Sequence, residues 1–380
     1  MFIDWLAVSQ EYDFDLPAVT DVVIETLCRK TGERLSSREP HFKHEGSWST
    51  SITINVQGRR ISVEGNPSRI DRADNLFGYE TIEQCIAVYN RILADYGLPP
   101  FSRCTTTFQR QVQRRTGKWD EALVSDGAVI HAIHLTSNHS VGKGNVLAYL
   151  RGLSSQSIGR NKAFLFPNGR TVTWTTKADG KGARLMYRKA YDKAFDIADK
   201  LLPKVKRLFG EHSEEYAYVQ RVQRYCEEQG VVRFEQELKA EYLKREHLAF
   251  WGLFDEGRFK ALHSAFLEVD QRLKVNAMDM VTIAQQLVIE GICSNTKAAN
   301  TTAMYAHLWM NGQSFDLTKK QVQTHRARLN RIGIDIGRPC DLTRFSPVIV
   351  REIREVTRVA ALEVPNWYRR PAGHLQLVAA

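Results

Sequence analysis

One turn signal constrains the fold of this chain more than any other local feature. Asn168-Gly169 separates two β-prone runs, Ala163 to Phe166 and Thr171 to Thr175. Asn and Gly tolerate the positive φ angles of a tight turn, so the two runs are predicted to pair as a hairpin. The chain is therefore predicted to contain an antiparallel sheet.

Hydrophobic periodicity predicts the remaining elements. Apolar alternation indicates strands in the first half of the chain, and helical spacing dominates beyond about residue 240. We therefore predict an α+β domain over residues 1–240, in which helices flank the antiparallel sheet, and a mainly α-helical domain over residues 241–380. The other predicted strands are Ser51 to Gln57, Arg60 to Glu64, Ala128 to Thr136 and Val231 to Leu238, and the predicted helices are Thr81 to Tyr96 and Glu214 to Gln229.

Cysteine spacing and missing motifs exclude several classes of protein. The six cysteines contain no C-x-x-C pair and are too sparse for a disulfide scaffold, so reduced thiols are expected. No signal-peptide pattern is present, and no apolar run reaches the ~20 residues of a membrane span, which predicts a soluble intracellular protein. The P-loop, G-x-S-x-G and H-E-x-x-H motifs are also missing, which argues against ATP-driven chemistry.

The positive charge is concentrated in one segment. The chain carries 53 Lys and Arg against 43 Asp and Glu, a net charge of +10. Arg160 to Gly210 holds 13 Lys and Arg against four Asp, a net charge of +9, with aromatic residues between them. Cations and aromatic faces together suit single-stranded nucleic acid, although a solvated basic face with core aromatics fits equally well. The candidate DNA contacts in this segment are Trp174, Arg184, Arg188 and Lys193.

Two tyrosines lie within Arg184 to Lys193. If this stretch is helical, Tyr187 and Tyr191 share one face, and Lys189 and Lys193 share another. A phenol becomes a nucleophile when cations or a metal stabilise the phenolate, and cations flank Tyr187 on both sides. Tyrosines buried in a core explain the same spacing.

A second set of residues suits a divalent metal. His134 shares a strand face with Thr136, and Arg233 shares one with Glu235. Together with Glu64, these strands offer two carboxylates and one imidazole, a set that suits Mg²⁺ or Mn²⁺ better than zinc. A strand histidine without any ligand role is the alternative.

A basic segment near the C-terminus is a further candidate for DNA contact. Asp316 and Thr318 precede a cationic helix that contains Lys319 and Arg326 and ends at Gly333. A polar cap followed by a cationic helix is typical of a helix that contacts DNA, and a plain surface helix is the alternative.

Several short motifs occur in an order shared with a known family. They are Val63-Glu64, Asn75 to Gly78, Ile130 to Thr136, Thr171 to Trp174, Leu185 to Lys189, Val232 to Glu235, Tyr242 to Lys244 and Pro365 to Tyr368. This ordered set resembles the gene II/gene X replication initiator family of filamentous bacteriophages. In the resemblance, Tyr187-x-Lys189 corresponds to the segment that bears the family's nucleophile.

The resemblance implies a rolling-circle endonuclease related to the HUH group, which is named for a His-hydrophobic-His metal strand. Tyr187 would attack the origin strand with help from Lys189, leaving a 5′-phosphotyrosyl link that a second transfer later rejoins. Tyr191 is a possible second nucleophile. The implied metal is Mg²⁺ or Mn²⁺ on Glu64, His134 and Glu235, although His134-Leu135-Thr136 departs from the strict HUH pattern.

The implied partners are double-stranded origin DNA, its single strand, and a host helicase and DNA polymerase in the bacterial cytoplasm. Arg233 is a further candidate DNA contact. The competing hypothesis is a non-catalytic repressor or architectural protein that uses the same basic surface. An RNA-binding protein is a third possibility, and tyrosine recombination is disfavoured because no His-x-x-Arg box precedes a tyrosine.

Overall fold

A ten-stranded antiparallel sheet lies at the centre of the computed structural model, which describes residues 1–45, 51–113, 117, 119–154, 156–177, 180, 182–276, 280–310, 313–338 and 360–371. Asp179, Lys181 and Cys340, which were counted above, lie outside these ranges. The strands are β1 (Phe2–Glu11), β2 (Ile24–Leu27), β3 (Arg34–Arg38), β4 (Phe42–Glu45), β5 (Ser51–Gln57), β6 (Arg60–Gly65), β7 (Thr107–Gln113), β8 (Trp119–Ser125), β9 (Val129–Ser140), β10 (Lys162–Leu165), β11 (Thr171–Thr175), β12 (Met186–Asp192), β13 (Val231–Lys239) and β14 (Ala360–Ala361). The helices are α1 (Ile82–Asp95), α2 (Val146–Leu153), α3 (Lys193–Asp196), α4 (Leu202–Phe209), α5 (Glu214–Gln229), α6 (Ala240–Arg245), α7 (Gly257–Asn276), α8 (Met280–Ile289), α9 (Thr296–Met310) and α10 (Lys320–Arg331), with a 3₁₀ turn at Pro67–Arg69 and a π-helical turn at Ile197–Leu201.

The strand order across the large sheet is β10-β11-β12-β13-β9-β1-β6-β5-β4, and β14 adds to one end of β9. Two separate ribbons, β2–β3 and β7–β8, lie outside this sheet. The hairpins β5–β6 and β10–β11 confirm the predicted pairs, and Gly169 has the positive φ of +67° that the Asn-Gly turn requires. The protein is therefore α+β with a large antiparallel sheet.

One face of the sheet is apolar and is covered by helices. Helix α1 begins at a capping box between Thr81 and Gln84, and its buried residues pack on β1, β5, β6 and β9. Further along the sheet, α2 and α7 cover β11, β12 and β13. Trp174 lies in this second part of the core, where it is 0% exposed and its ring stacks edge-on against Phe266.

The turn from α5 into β13 depends on one glycine. Gly230 ends α5 in the left-handed conformation, with φ of +60°. A Cβ added there would lie 1.9 Å from the backbone oxygen of Gly142, so no other residue fits without moving that loop. This close approach fixes where β13 enters the sheet between β12 and β9.

The helical segment after the sheet has a core of its own. Helices α8, α9 and α10 enclose a separate apolar cluster that begins at Ile283 and includes Trp309 and Leu329. Before it, Leu243, Trp251 and neighbouring residues pack on the sheet. The domain boundary near residue 240 stays a prediction.

The last described segment returns to the sheet domain. Tyr368 is 5% exposed and lies in an apolar cluster with residues of α3, α4 and α5. Its hydroxyl accepts a hydrogen bond from Arg72 Nη2 at 2.6 Å and donates one to Asp74 Oδ1 at 2.7 Å. The predicted Pro-x-Trp-Tyr motif therefore anchors residues 360–371 to the loop after β6.

Candidate active site

The polar face of the sheet carries most of the residues that the sequence singled out. The Arg184 to Lys193 stretch contains strand β12, not a helix, so alternate residues face opposite sides. Tyr187, Lys189 and Tyr191 therefore share one face, whereas Arg188 lies on the other. The cross-strand partners of those three residues on β13 are Glu237, Glu235 and Arg233 in the same order.

A buried carboxylate connects three of the predicted residues. Glu235 is 4% exposed, and its Oε1 lies 2.7 Å from Lys189 Nζ and 3.3 Å from His134 Nδ1. The Tyr191 hydroxyl donates to Glu235 Oε2 at 3.4 Å. Strand pairing makes this contact possible, because β12, β13 and β9 are adjacent in the sheet.

The charges of this cluster support one another. Burial alone would raise the pKa of Glu235, but the Lys189 ammonium and the His134 ring outweigh burial and hold that pKa below its ordinary value. For the Lys189 ammonium, burial acts to lower the pKa, and the Glu235 carboxylate more than compensates, so this pKa is raised. The pair is therefore ionised over the physiological pH range.

The two tyrosines have different surroundings. The Tyr187 hydroxyl donates to the backbone oxygen of Gly180 at 3.0 Å, and the side chain is partly buried. Tyr191 faces a cavity, with Lys189 Nζ 5.6 Å and Lys193 Nζ 5.9 Å from its ring centroid. Burial raises the pKa of Tyr191 well above its ordinary value, so its phenol is held in the protonated form.

The cavity beside this cluster has a volume of 720 Å³ and a mixed lining. Trp5 forms part of its wall and stacks on His134 with ring centroids 6.1 Å apart. Charged side chains of both signs complete the lining, so the cavity is not uniformly cationic. They are Lys43, Arg69, Arg170, Lys189 and Lys200, and Asp4, Asp192, Asp196, Asp199 and Glu235.

Most of the acidic side chains in the lining are engaged by neighbours. Asp192 pairs with Arg170 at 2.5 Å, and Asp196 pairs with Lys193 at 2.9 Å and Lys200 at 2.7 Å. Among the cations of the lining, Arg69 has a pKa that burial lowers, against the opposing effect of Asp4, Asp74 and Asp196; its Nη2 donates to the backbone oxygen of Ala73 at 3.4 Å, and its Nε has no hydrogen-bond partner among the described residues. A guanidinium at a cavity wall with an N–H group that has no protein partner suits a phosphate group.

Several candidate DNA contacts lie elsewhere. Trp174 and Arg233 are completely buried, and Arg233 donates to Asn138 Oδ1 at 2.9 Å and to the backbone oxygen of Asn75 at 2.7 Å. Both serve the packing of the sheet in this structure, because neither reaches the surface. Arg188 lies on the apolar face, 5.8 Å from the Phe266 ring centroid.

The remaining cationic candidates are mostly paired. Lys193 is 4% exposed and bound to Asp196, whereas Arg184 is exposed and donates two hydrogen bonds to Glu241. Arg326 on α10 donates to Asp335 Oδ1 at 2.8 Å, and Lys319 is exposed just before that helix. The basic segment is thus distributed over both sheet faces and several ion pairs, since a strand turns alternate residues away from one another.

The predicted metal ligands do not form one shared site. His134 and Glu235 are in contact, but Glu64 is exposed on β6 and is absent from the cavity lining. Among the described residues, no three His, Cys, Asp or Glu side chains are arranged to hold a metal ion. The residues as placed do not fit the expected set of metal ligands, because the Glu235 carboxylate is already paired with the Lys189 ammonium. The Mg²⁺ or Mn²⁺ requirement stays a prediction.

Residues missed by the sequence analysis complete the cavity. Asp4 and Trp5 come from β1, Lys43 from β4 and Arg69 from the turn after β6. The alternation of β1 would have predicted a strand, but pairing between distant segments brings these residues together. The Asn75 to Gly78 motif was the one local sequence signal for this part of the cavity, because the side-chain amide of Asn75 donates a hydrogen bond to Asp4.

The fold and site together define an α+β protein with a tyrosine, lysine and carboxylate cluster on the polar face of its sheet. Residues 287–373 match the family model for the C-terminal region of the phage gene II replication-associated protein. The chain is also 45% identical to the gene II replication-associated protein of Escherichia phage If1 over 326 residues, which cover 86% of this chain and 99% of the relative. No solved structure matches the chain.

This level of identity over nearly the whole relative assigns the family. The chain belongs to the gene II replication-associated protein family of filamentous phages, as the ordered motifs predicted. Within the described ranges, none of the helices is long and apolar enough to cross a membrane.

Proposed function

We propose that this protein initiates phage DNA replication by nicking the origin strand through Tyr187. The observation that carries the proposal is the position of Tyr187 and Lys189 on one face of β12, beside the buried Glu235 cluster. The relative from phage If1 is named a replication-associated protein, which supports the replication role. The same proposal includes a relationship between this protein and the HUH endonucleases.

The chemical step is a transesterification at a DNA phosphate. The Tyr187 oxygen bonds to phosphorus as the bond to the 3′ oxygen breaks; the phenolic proton leaves to a base, and the departing 3′ oxygen gains a proton. The products are a free 3′-OH and a 5′-phosphotyrosyl link. Lys189, two residues along the strand, offsets the charge that develops on the phosphate.

The link conserves the phosphodiester energy, in keeping with a sequence that has no P-loop. The 3′-OH primes a host DNA polymerase while a host helicase unwinds the duplex in the bacterial cytoplasm. After one round, the reverse reaction rejoins the displaced strand. Tyr191 serves better as a contact for the substrate than as a second nucleophile, because it lines the cavity and its hydroxyl already donates to Glu235.

The test is a nicking assay on supercoiled double-stranded DNA of the phage, with the full chain and either Mg²⁺ or EDTA. Wild type is expected to convert supercoiled circles to nicked circles, and Tyr187→Phe is expected to abolish this. Tyr225→Phe is the matched control, since the Tyr225 hydroxyl likewise donates to a backbone oxygen, that of Glu363, but the residue lies on α5 and not on β12.

Nicking that survives in Tyr187→Phe removes Tyr187 from the nucleophile role. Equal nicking in EDTA would show that the predicted requirement for Mg²⁺ or Mn²⁺ is wrong. Duplex binding without any cleavage by wild type favours the non-catalytic alternative.

A further inference from the structure

Helix α10 presents a cationic face opposite the side that packs into its core. Val322, His325 and Leu329 are buried, and the His325 ring stacks on Tyr305 with centroids 4.3 Å apart. His325 Nδ1 is also 2.9 Å from the hydroxyl of Thr302 on α9. These contacts fix the rotation of α10 about its own axis.

The opposite face is exposed among the described residues. Its members are three or four positions apart and therefore lie in one stripe. They are Lys320, Thr324, Ala327 and Arg331, flanked by the exposed amides of Gln321 and Asn330.

Acidic side chains are missing from this stripe. Helix α10 contains no Asp or Glu, and Lys319 adds a further exposed cation before its first turn. The nearest acids in sequence are engaged elsewhere: Asp316 accepts from the Thr318 hydroxyl at 2.6 Å, and Asp335 binds Arg326. The surface is therefore complementary in charge to a polyanion.

We infer that α10 inserts into the major groove of double-stranded DNA and reads the sequence at which the protein assembles. A helix of 12 residues is about 18 Å long, and the major groove is wide enough to admit it. Lys320 and Arg331 contact phosphates at the two ends of the stripe, and Thr324 and Ala327 between them present methyl groups that fit the thymine methyl groups in the groove. The inference rests on the proposed function, because that function makes DNA the substrate.

The surface proposed to bind duplex DNA and the residue proposed to cleave it lie on different parts of the protein. Arg326, which the sequence analysis selected, is excluded from it by its pairing with Asp335. Helix α10 belongs to the separate α8–α10 core, whereas Tyr187 lies on the central sheet. Variants of α10 should therefore change duplex binding and leave the chemical step on a single strand intact.

The experiment uses the full chain in EDTA and a duplex library with a randomised core, followed by fluorescence anisotropy on the enriched duplex over a series of salt concentrations. Lys320→Ala with Arg331→Ala is expected to lower affinity for every duplex and to reduce the salt slope by about 2. Thr324→Ser, which removes one methyl contact, is expected to reduce the preference for the enriched sequence by roughly fourfold. Lys297→Ala, an exposed lysine on α9, is the control and should match wild type.

Wild-type affinity, slope and preference in both α10 variants would overturn the inference. Equal competition by double-stranded RNA would also overturn it, since the deep, narrow major groove of an A-form duplex does not admit a helix. If no chain nicks DNA but the α10 variants behave as expected, the proposed function fails and the α10 inference stands.

Discussion

Replacing Lys189 by methionine removes the positive partner of a buried carboxylate. Glu235 has a side chain that is 5% exposed, and Lys189 is its closest charged neighbour at 2.7 Å. Removing one member of a buried pair typically costs 3–5 kcal/mol, and the 32% exposure of Lys189 places this case near about 3 kcal/mol. We expect Lys189→Met to lower the free energy of unfolding by that amount.

Adding Glu235→Gln to Lys189→Met should recover part of the loss, because the buried Glu235 carboxylate is then no longer left without its ammonium partner. A double-mutant cycle by urea unfolding at neutral pH should give a coupling energy above about 1 kcal/mol. The exposed pair Arg184–Glu241 is the matched control, and its coupling should be clearly smaller because water screens both charges.

The pH dependence of this coupling has a defined sign. The pKa of Glu235 is lowered in the folded protein, so its contribution is present above the unfolded pKa of about 4.3 and is lost as the pH falls towards the folded value. The pKa of Lys189 is raised, so its contribution is present below about 10.4 and is lost as the pH rises through the folded value. A coupling energy as small as that of Arg184–Glu241, or one that grows below pH ~4, would refute this reasoning.

Three further predictions follow from burial and charge. Trp174→Ala should lower the free energy of unfolding by about 3–5 kcal/mol in urea, and a cost below about 1 kcal/mol would mean that the ring is not in the core. Tyr368→Phe should cost about 1–3 kcal/mol in thermal unfolding, because Arg72 and Asp74 each lose a buried partner; an unchanged melting temperature would argue against that anchor. Arg69→Gln should reduce the salt slope of single-stranded DNA binding by about 0.7, and an unchanged slope would exclude Arg69 from phosphate contact.

The sequence predicted helices and strands well where capping or turn residues mark their ends. The Asn168-Gly169 hairpin, the capped helix α1 and the Gly230 end of α5 all lie where the sequence places them. The stretch around Tyr187 and Tyr191 is different, because a spacing of four fits both a helix and alternate positions of a strand. Pairing with β11 and β13 decided in favour of the strand.

The candidate site was less accessible to sequence reasoning, because cross-strand register is not a local property. The contact of Lys189 and His134 with Glu235 joins three strands that are far apart in sequence. The interpretation of residues 160–210 as one basic surface overlooked alternation, which sends Trp174 and Arg188 to the apolar face. Family motifs indicated the family correctly because they do not depend on knowing the register.

Mapping the covalent protein–DNA link tests the central proposal most directly. Wild-type protein would be incubated with supercoiled phage DNA and Mg²⁺, then digested with nuclease and trypsin and analysed by mass spectrometry. Trypsin cleaves after Arg184, Arg188, Lys189 and Lys193, so the two tyrosines fall in separate peptides. We expect a nucleotide linked through its 5′-phosphate to Tyr187 on the Leu185–Arg188 peptide. A link on the peptide that contains Tyr191, or nicked DNA with no covalent link, would contradict it.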